Sequence, residues 1–194
     1  MRYNGISNDS ERRADVTPPF VWWDGAFSEE ALVKIIEAHQ SEPGVDTIVF
    51  STSSEPTLEK LRTDNKWIFE RLNHVITEVN NNFYGFDING YDSYEYIEQI
   101  PSTPSVWSVD LQYGEHFANP PPNKLTAVLL LNKPEEFEGG ALQINTIGEN
   151  DPVSTFSILG RVLVYPSWQL TRIAPVISGV RKSIKIKVTG PKFV

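Results

Sequence analysis

The sequence predicts a mostly-β (α+β) domain, a sandwich or jelly-roll barrel with two helices packed on the outer face of a sheet. Two segments before residue 80 carry apolar residues at helical spacing. After residue 85, short apolar segments are separated by Gly, Pro and Asn, which is typical of strands and turns. The late pair Gly139-Gly140 adds a hairpin turn between two of these segments.

The N-terminal segment differs in composition from the rest. Residues 1–18 are polar and run into Pro18-Pro19, which predicts an extended arm ahead of one domain over residues 19–194. Because a polar arm is seldom ordered alone, we expect it to pack on the domain or on a neighbouring chain.

Two helices and a short strand precede the β-rich part. The first helix is predicted to begin at Ser28, since a serine before Glu29-Glu30 caps the exposed amides and places acids in the first turn. Its apolar stripe consists of Leu32, Ile35, Ile36 and His39. The second helix is predicted to end at Asn80-Asn81-Asn82, and its apolar stripe consists of Ile68, Leu72, Val75, Ile76 and Val79. Between them, Thr47–Phe50 is predicted as a strand.

Six later segments are predicted as strands: Tyr91–Ile97, Val106–Leu111, Leu125–Asn132, Ala141–Asn145, Arg161–Tyr165 and Arg181–Val188. In the last of them, alternation places Arg181, Ser183, Lys185 and Lys187 on one face. Lys182, Ile184, Ile186 and Val188 fall on the other face.

Composition excludes several classes of function. The chain has 194 residues, 40% hydrophobic and 22% charged, which suits one packed domain. A net charge of -8 argues against nucleic-acid binding through phosphate neutralisation, and the absence of cysteine excludes disulfides and thiolate chemistry. No apolar segment is long enough to span a membrane and the start lacks a secretory pattern, so we expect the protein in the cytoplasm of the producing cell.

The second half of the chain carries an ordered series of motifs: Glu138-Gly139-Gly140-Ala141-Leu142, Tyr165-Pro166-Ser167, Leu170-Thr171-Arg172-Ile173-Ala174-Pro175-Val176, Gly179-Val180-Arg181-Lys182-Ser183 and Gly190-Pro191. The series resembles the 2-oxoglutarate- and iron(II)-dependent oxygenases, in particular the prolyl-hydroxylase-like branch of bacteria and phages. The resemblance covers residues 22–193 and implies a double-stranded β-helix (jelly-roll) barrel with two buttressing helices.

The same resemblance implies three iron ligands, of which this chain has only the carboxylate, Asp110. The family has His-x-Asp where this sequence reads Ser108-Val109-Asp110, and a second histidine where it has Thr171. A facial triad needs two imidazoles and one carboxylate. Ser108, Asp110 and Thr171 are therefore predicted to be a vestigial metal site that binds no metal.

The three histidines of the chain do not repair this loss. His39 and His74 fall in the helical patterns and are predicted to be helix-surface or helix-end residues. His116 is predicted to be a loop residue, because Ala118 two places on cannot complete a His-x-carboxylate pair. No histidine follows His116.

The resemblance also implies that Arg181 and Ser183 face the barrel interior and anchor the distal carboxylate of 2-oxoglutarate. A guanidinium and a hydroxyl suit a carboxylate well, although Arg181 could equally neutralise an internal acid. A buried Asp110 without iron requires another partner. We expect Lys185 or Arg172, or a hydroxyl of Ser108 or Thr171, to supply it.

Three functions follow as alternatives. The first is a non-catalytic, oxygenase-like domain that needs no cofactor and binds other protein chains, neither nucleic acid nor membrane, as in a phage virion or assembly component. The second is an active hydroxylase, using 2-oxoglutarate and Fe(II) with unusual ligands. The third is a carboxylate-binding module built on Arg181 and Ser183.

Overall fold

The computed structural model describes residues 17–39, 47–51, 58–101, 103, 105–112, 121–146, 152–155 and 157–192. All but the last two residues of the predicted arm, and the loop residue His116, lie outside these ranges. No helix among the described residues is long and apolar enough to cross a membrane.

The helices and strands alternate near the N-terminus and give way to strands alone after residue 85. In chain order they are β1 (Val21–Trp23), α1 (Glu29–Ala38), β2 (Thr47–Ser51), α2 (Leu58–Asp64), α3 (Lys66–Val79), β3 (Gly90–Gln99), β4 (Asn123–Leu130), β5 (Phe137–Gly139), β6 (Leu142–Asn145), β7 (Val153–Ser154), β8 (Val162–Pro166), β9 (Leu170–Ile173), β10 (Val176–Gly179) and β11 (Arg181–Thr189). A π-helical turn over Asn80–Tyr84 continues α3, and a 3₁₀ turn over Pro134–Glu136 precedes β5.

The strands form one large and two small antiparallel sheets. The large sheet has the order β1-β8-β4-β11-β3-β2, and the small sheets have the orders β7-β6-β9 and β10-β5. Apolar side chains of β4 and β8 pack against β6 and β9, so the small sheets cover one face of the large one. This layering of antiparallel sheets is the jelly-roll arrangement that the sequence predicted.

The helices cover the other face of the large sheet, as predicted. Ser28 caps α1 by accepting a hydrogen bond from the amide of Ala31 at 3.2 Å. Leu32 of α1, and residues spaced three and four apart along α3, join one core with alternate residues of β3, β4, β8 and β11. The sequence reasoning missed α2, whose stripe consists only of Leu58 and Leu61.

One predicted strand was wrong. Within Val106–Leu111, only Ser108 makes an isolated bridge, to Thr171. The amides of Asp110 and Leu111 both donate to the same carbonyl oxygen, that of Ser167, so the alternating hydrogen-bond pattern of a strand stops there. The short strands β1, β5, β7, β9 and β10 were not predicted, because two to four residues carry too little periodicity.

The two described histidines occupy different surroundings. His39 directly follows α1, as predicted, but it is buried rather than on the surface. Its ring stacks against Tyr94 and Tyr96, with centroid distances of 5.4 and 5.3 Å, and its Nδ1 lies 2.7 Å from the carbonyl oxygen of Ile35. His74 is exposed and contacts the edge of Trp23.

Candidate functional site

Strand β11 sorts its side chains between the two faces of the large sheet as the sequence predicted. Ile184 and Ile186 belong to the core under the helices. Ser183 and Lys185 instead line a cavity on the face covered by the small sheets. The alternation of a β-strand therefore brings a polar stripe into the interior between the sheets.

That cavity has a volume of about 200 Å³. Its polar lining comes from β3, β8, β9, β11 and the segment before Asp110, and includes Gln99, Ser108, Tyr165, Thr171, Ser183 and Lys185. Aliphatic side chains of β4 and β6 complete the wall. Of the predicted site residues, Ser108, Thr171 and Ser183 line this cavity, whereas Arg181 lines a smaller one.

The three positions of the vestigial metal site lie close together. Ser108 and Thr171 exchange two backbone hydrogen bonds of 2.9 Å. The Tyr165 hydroxyl contacts the side chains of both Thr171 and Asp110. Burial and the charge of Asp110 raise the pKa of Tyr165 well above its usual value, so this hydroxyl stays protonated and donates.

Asp110 is buried and both of its carboxylate oxygens are engaged. The ammonium of Lys185 lies 2.5 Å from Oδ1. Thr126 Oγ1 and the Tyr165 hydroxyl donate to Oδ2 at 3.2 and 3.3 Å. Of the partners considered from sequence, Lys185 makes the ion pair, and the hydroxyls come from Thr126 and Tyr165 rather than Ser108 or Thr171.

Arg172, the other cation considered for Asp110, has different partners. Its Nε donates to Gln143 Oε1 at 2.7 Å, and its guanidinium carbon lies 4.6 Å from the centroid of the Trp107 ring. This cation–π contact holds Arg172 at the cavity wall and away from the carboxylate.

A second ion pair adjoins the first. Lys187 Nζ lies 2.8 Å from Glu95 Oε1, and Ser93 donates to the same oxygen at 3.0 Å. Burial alone lowers the pKa of Lys187, but the hydrogen bond and charge of Glu95, with Asp110 and Asp92 nearby, outweigh it and raise the pKa. Two lysines of β11 therefore each lie beside a carboxylate, Lys185 beside Asp110 and Lys187 beside Glu95, and the sequence reasoning had not identified Glu95.

Arg181 is buried, with 4% of its surface exposed. Its Nη1 donates to Ser183 Oγ at 2.7 Å and to Gln99 Oε1 at 3.0 Å, while Nε has no partner. Burial lowers the pKa of Arg181 to about 10, so the group remains a cation at neutral pH. No described carboxylate pairs with it, so the alternative in which Arg181 neutralises an internal acid does not apply to the described residues.

These residues do not fit an iron(II) ion. Ser108 and Thr171 offer neutral hydroxyls where imidazoles are required, and Asp110 already binds an ammonium. Across the described ranges, no three His, Cys, Asp or Glu side chains are grouped so that they could hold a metal. Arg181 and Ser183 do suit one carboxylate of 2-oxoglutarate, whereas the Lys185 ammonium already occupies the position beside Asp110.

Curated relatives match part of the chain. A "PKHD-type hydroxylase" of Prochlorococcus marinus is 40% identical over 73 residues, which are 36% of this chain and 32% of the relative. One from Xylella fastidiosa is 31% identical over 102 residues, 52% of this chain and 36% of the relative. The chain thus spans about a third of the length of the curated relatives it matches. No protein-family model matches it.

Solved structures match nearly the whole chain. A viral collagen prolyl hydroxylase from Paramecium bursaria Chlorella virus-1 has a TM-score of 0.65 at 13% identity, covering 99% of both chains. A prolyl 4-hydroxylase from Pseudomonas putida has a TM-score of 0.58 at 12% identity, covering 90% of this chain and 94% of the other. These likenesses establish the fold, the double-stranded β-helix that the sequence predicted.

Proposed function

We propose that this chain, which belongs to the superfamily of 2-oxoglutarate- and iron(II)-dependent oxygenases, is a non-catalytic member that works by binding rather than by hydroxylation. The observation that carries this proposal is the ion pair between Lys185 and Asp110, with 2.5 Å between ammonium and carboxylate. Asp110 is the one family ligand that the sequence retains, and a protein cation has taken the place of its metal.

The charge of Lys185 opposes metal binding directly. Two unit charges about 4 Å apart repel by about 4 kcal/mol at the effective dielectric constant of a protein site, and a divalent ion doubles this. The neutral hydroxyls of Ser108 and Thr171 offer no compensating affinity. Iron would therefore have to displace an ammonium and then be held by a single carboxylate.

Turnover of 2-oxoglutarate tests the proposal. Purified protein with Fe(II), ascorbate and 2-oxoglutarate should release no succinate above the level of a reaction without protein. The Asp110→Ala variant, which lacks the remaining carboxylate, should give the same background. Iron-dependent succinate release that disappears in Asp110→Ala would contradict the proposal and support the active hydroxylase.

The binding partner of this chain is a separate part of the proposal. We infer other protein chains as partners, in a virion or assembly made in the cytoplasm of the producing cell, as the phage branch of the resemblance suggests. Exposed apolar side chains, Val106 at 67% and Ile177 at 63%, are available for such contacts. Sedimentation of the chain with particles from its own source supports this form, whereas a chain found only as a free monomer contradicts it.

A carboxylate-binding module is the second candidate, favoured by the buried Arg181, which pairs with no acid in the described part of the chain. Ser183 and Gln99, which accept hydrogen bonds from Arg181, both line the 200 Å³ cavity. Calorimetric titration with 2-oxoglutarate and with succinate, in the presence of a metal chelator, tests this function. Binding lost in Ser183→Ala and kept in Arg172→Gln supports it, and no binding at millimolar ligand contradicts it.

A further inference from the structure

Among the ion pairs that the described residues form, the pair between Lys185 and Asp110 has the most buried carboxylate. The Asp110 side chain is 6% exposed, and Nζ of Lys185 lies 2.5 Å from its Oδ1. In the other pairs the acidic side chain is between 13% and 68% exposed. The carboxyl carbon of Asp110 is bonded to Oδ1, so the lysine nitrogen is held in contact with a carbonyl carbon that water reaches poorly.

Two buried hydroxyls hold the other oxygen of this carboxylate. Thr126 Oγ1 and the Tyr165 hydroxyl donate to Oδ2 of Asp110 at 3.2 and 3.3 Å. Donors in this position stabilise the negative charge that develops on an oxygen when a nucleophile adds to the carbon beside it. Asp110 therefore presents one oxygen to an amine and the other to a pair of donors of the kind that acyl transfer requires.

A second carboxylate adjoins the lysine. Glu95 of β3 lies directly opposite Lys185 of β11 in the antiparallel pairing, so the two side chains share one face, and both line the 200 Å³ cavity. Ser93 and Lys187 hold Oε1 of Glu95 at 3.0 and 2.8 Å, which fixes this carboxylate beside β11. A carboxylate fixed beside an ammonium accepts a proton from it and returns that proton to a nearby oxygen.

We propose that Lys185 and Asp110 join in an intramolecular amide (isopeptide) bond, which the folded chain forms by itself with Glu95 as the proton carrier. Glu95 moves one proton from the ammonium to Oδ1, which leaves an amine and a neutral acid. The nitrogen lone pair then forms a bond to Cγ, and the carbonyl electrons move to Oδ2, to which Thr126 and Tyr165 donate. The nitrogen gives a second proton to Oδ1 through Glu95, the carbonyl re-forms, the bond between Cγ and Oδ1 breaks, and one water leaves.

This reaction needs no other reactant. One ammonium and one carboxylate become one amide and one water, and Glu95 ends in the state in which it began. Burial favours the product, because a neutral amide replaces two buried charges, and the adjoining cavity gives the released water a place to go. The fold also holds the two reacting groups in contact, so no encounter between them is needed. The bond rests on the proposed function only in requiring that Asp110 holds no metal.

Intact-mass spectrometry tests the bond. After folding and incubation at neutral pH, the protein should be lighter by one water molecule than its sequence requires. Lys185→Arg, which keeps a cation but has no amine to form this amide, should have the full mass. Glu95→Gln should slow the loss of water by about a hundredfold or more. Lys182→Arg is the matched control and should lose the water normally, because Lys182 lies on the other face of the same strand and pairs with Glu98.

A tryptic digest locates the bond, and a branched peptide that joins Asp110 to Lys185 supports the proposal. The full mass in the folded, unaltered protein overturns it, as does a loss of water without that branched peptide. A loss of water that continues in Lys185→Arg also overturns it, and an unchanged rate in Glu95→Gln overturns the role of Glu95. Full mass together with no succinate release would overturn the bond and leave the proposed function standing, whereas iron-dependent succinate release would overturn the proposed function.

Discussion

Replacing Lys185 with methionine tests the idea that protein charge has taken over the role of the metal. Methionine keeps an unbranched side chain of similar length but removes the ammonium that lies 2.5 Å from Asp110. Oδ2 of Asp110 keeps the hydroxyls of Thr126 and Tyr165, whereas Oδ1 loses its cation. The carboxylate is then a buried charge with hydrogen bonds on one side only.

The expected loss of stability follows from the burial of the pair. Removing one partner of a buried ion pair costs about 3–5 kcal/mol. The side chain of Lys185 is 20% exposed and that of Asp110 only 6%, so we take the lower end, about 3 kcal/mol. For a domain of this length, that loss lowers the Tm by about 6–12 °C.

Urea unfolding of three variants measures this effect and its cause. Lys185→Met combined with Asp110→Asn should be more stable than Lys185→Met alone, because the amide carries no charge to compensate. Lys66→Met is the matched control, since its pair with Glu70 is exposed and contributes about 0.5 kcal/mol or less.

Two results would refute the reasoning. A loss below about 1 kcal/mol in Lys185→Met would place this pair with ordinary surface ion pairs. Equal losses in the single variant and in the double variant with Asp110→Asn would show that Lys185 stabilises the fold by packing rather than by charge.

Three further variants probe the metal position, the buried histidine and the Gly-Gly turn. Ser108→His with Thr171→His should bind Fe(II) weakly by calorimetry, and adding Lys185→Met should raise the affinity by about tenfold or more, about 1.4 kcal/mol. Because burial lowers the pKa of His39, its stabilising contribution should be present above about pH 6.5 and fall as the pH drops below it, and His39→Phe should flatten urea midpoints measured over that range. Gly139→Ala should destabilise by about 2 kcal/mol or more in urea unfolding, since φ is +79° and the new Cβ would lie 2.3 Å from a backbone carbonyl oxygen.

For each of these three variants, one result would contradict the prediction. Tight iron binding by the double-histidine variant with Lys185 intact would mean that the ammonium does not block the site. Flattened midpoints in His74→Gln, whose ring is exposed, would mean that the effect is not due to burial of His39. An unchanged midpoint in Gly139→Ala would mean that the backbone between β5 and β6 can relax.

Local patterns predicted the elements that are long and regular. The apolar stripe from Ile68 to Val79 predicted α3. The alternation of side chains from Arg181 to Val188 predicted both β11 and the face on which each of its side chains lies. These predictions succeeded because eight or more residues repeat one period. Val106–Leu111 failed because its alternation is also compatible with a segment whose amides turn toward one carbonyl, that of Ser167.

Which side chains pair with one another inside the barrel could be determined only from the three-dimensional fold. From sequence, Lys185 and Arg172 were equal alternatives for Asp110, since both carry a cation on a strand near the site. The structure separates them because Arg172 packs on Trp107 and donates to Gln143. Thr126, whose hydroxyl donates a hydrogen bond to Asp110, carried no sequence signal beyond its place in β4.

By itself, the sequence determined that Ser108 and Thr171 stand where the resemblance implies two imidazoles, because residue identity needs no coordinates. It also determined that Arg181, Ser183 and Lys185 share a face, because alternation is a local property of a strand. Only the tertiary structure decided that Lys185 meets Asp110 and that Arg181 meets no acid among the residues it describes. Those outcomes depend on which strands become neighbours across the barrel, and long-range pairing is not encoded in any one segment.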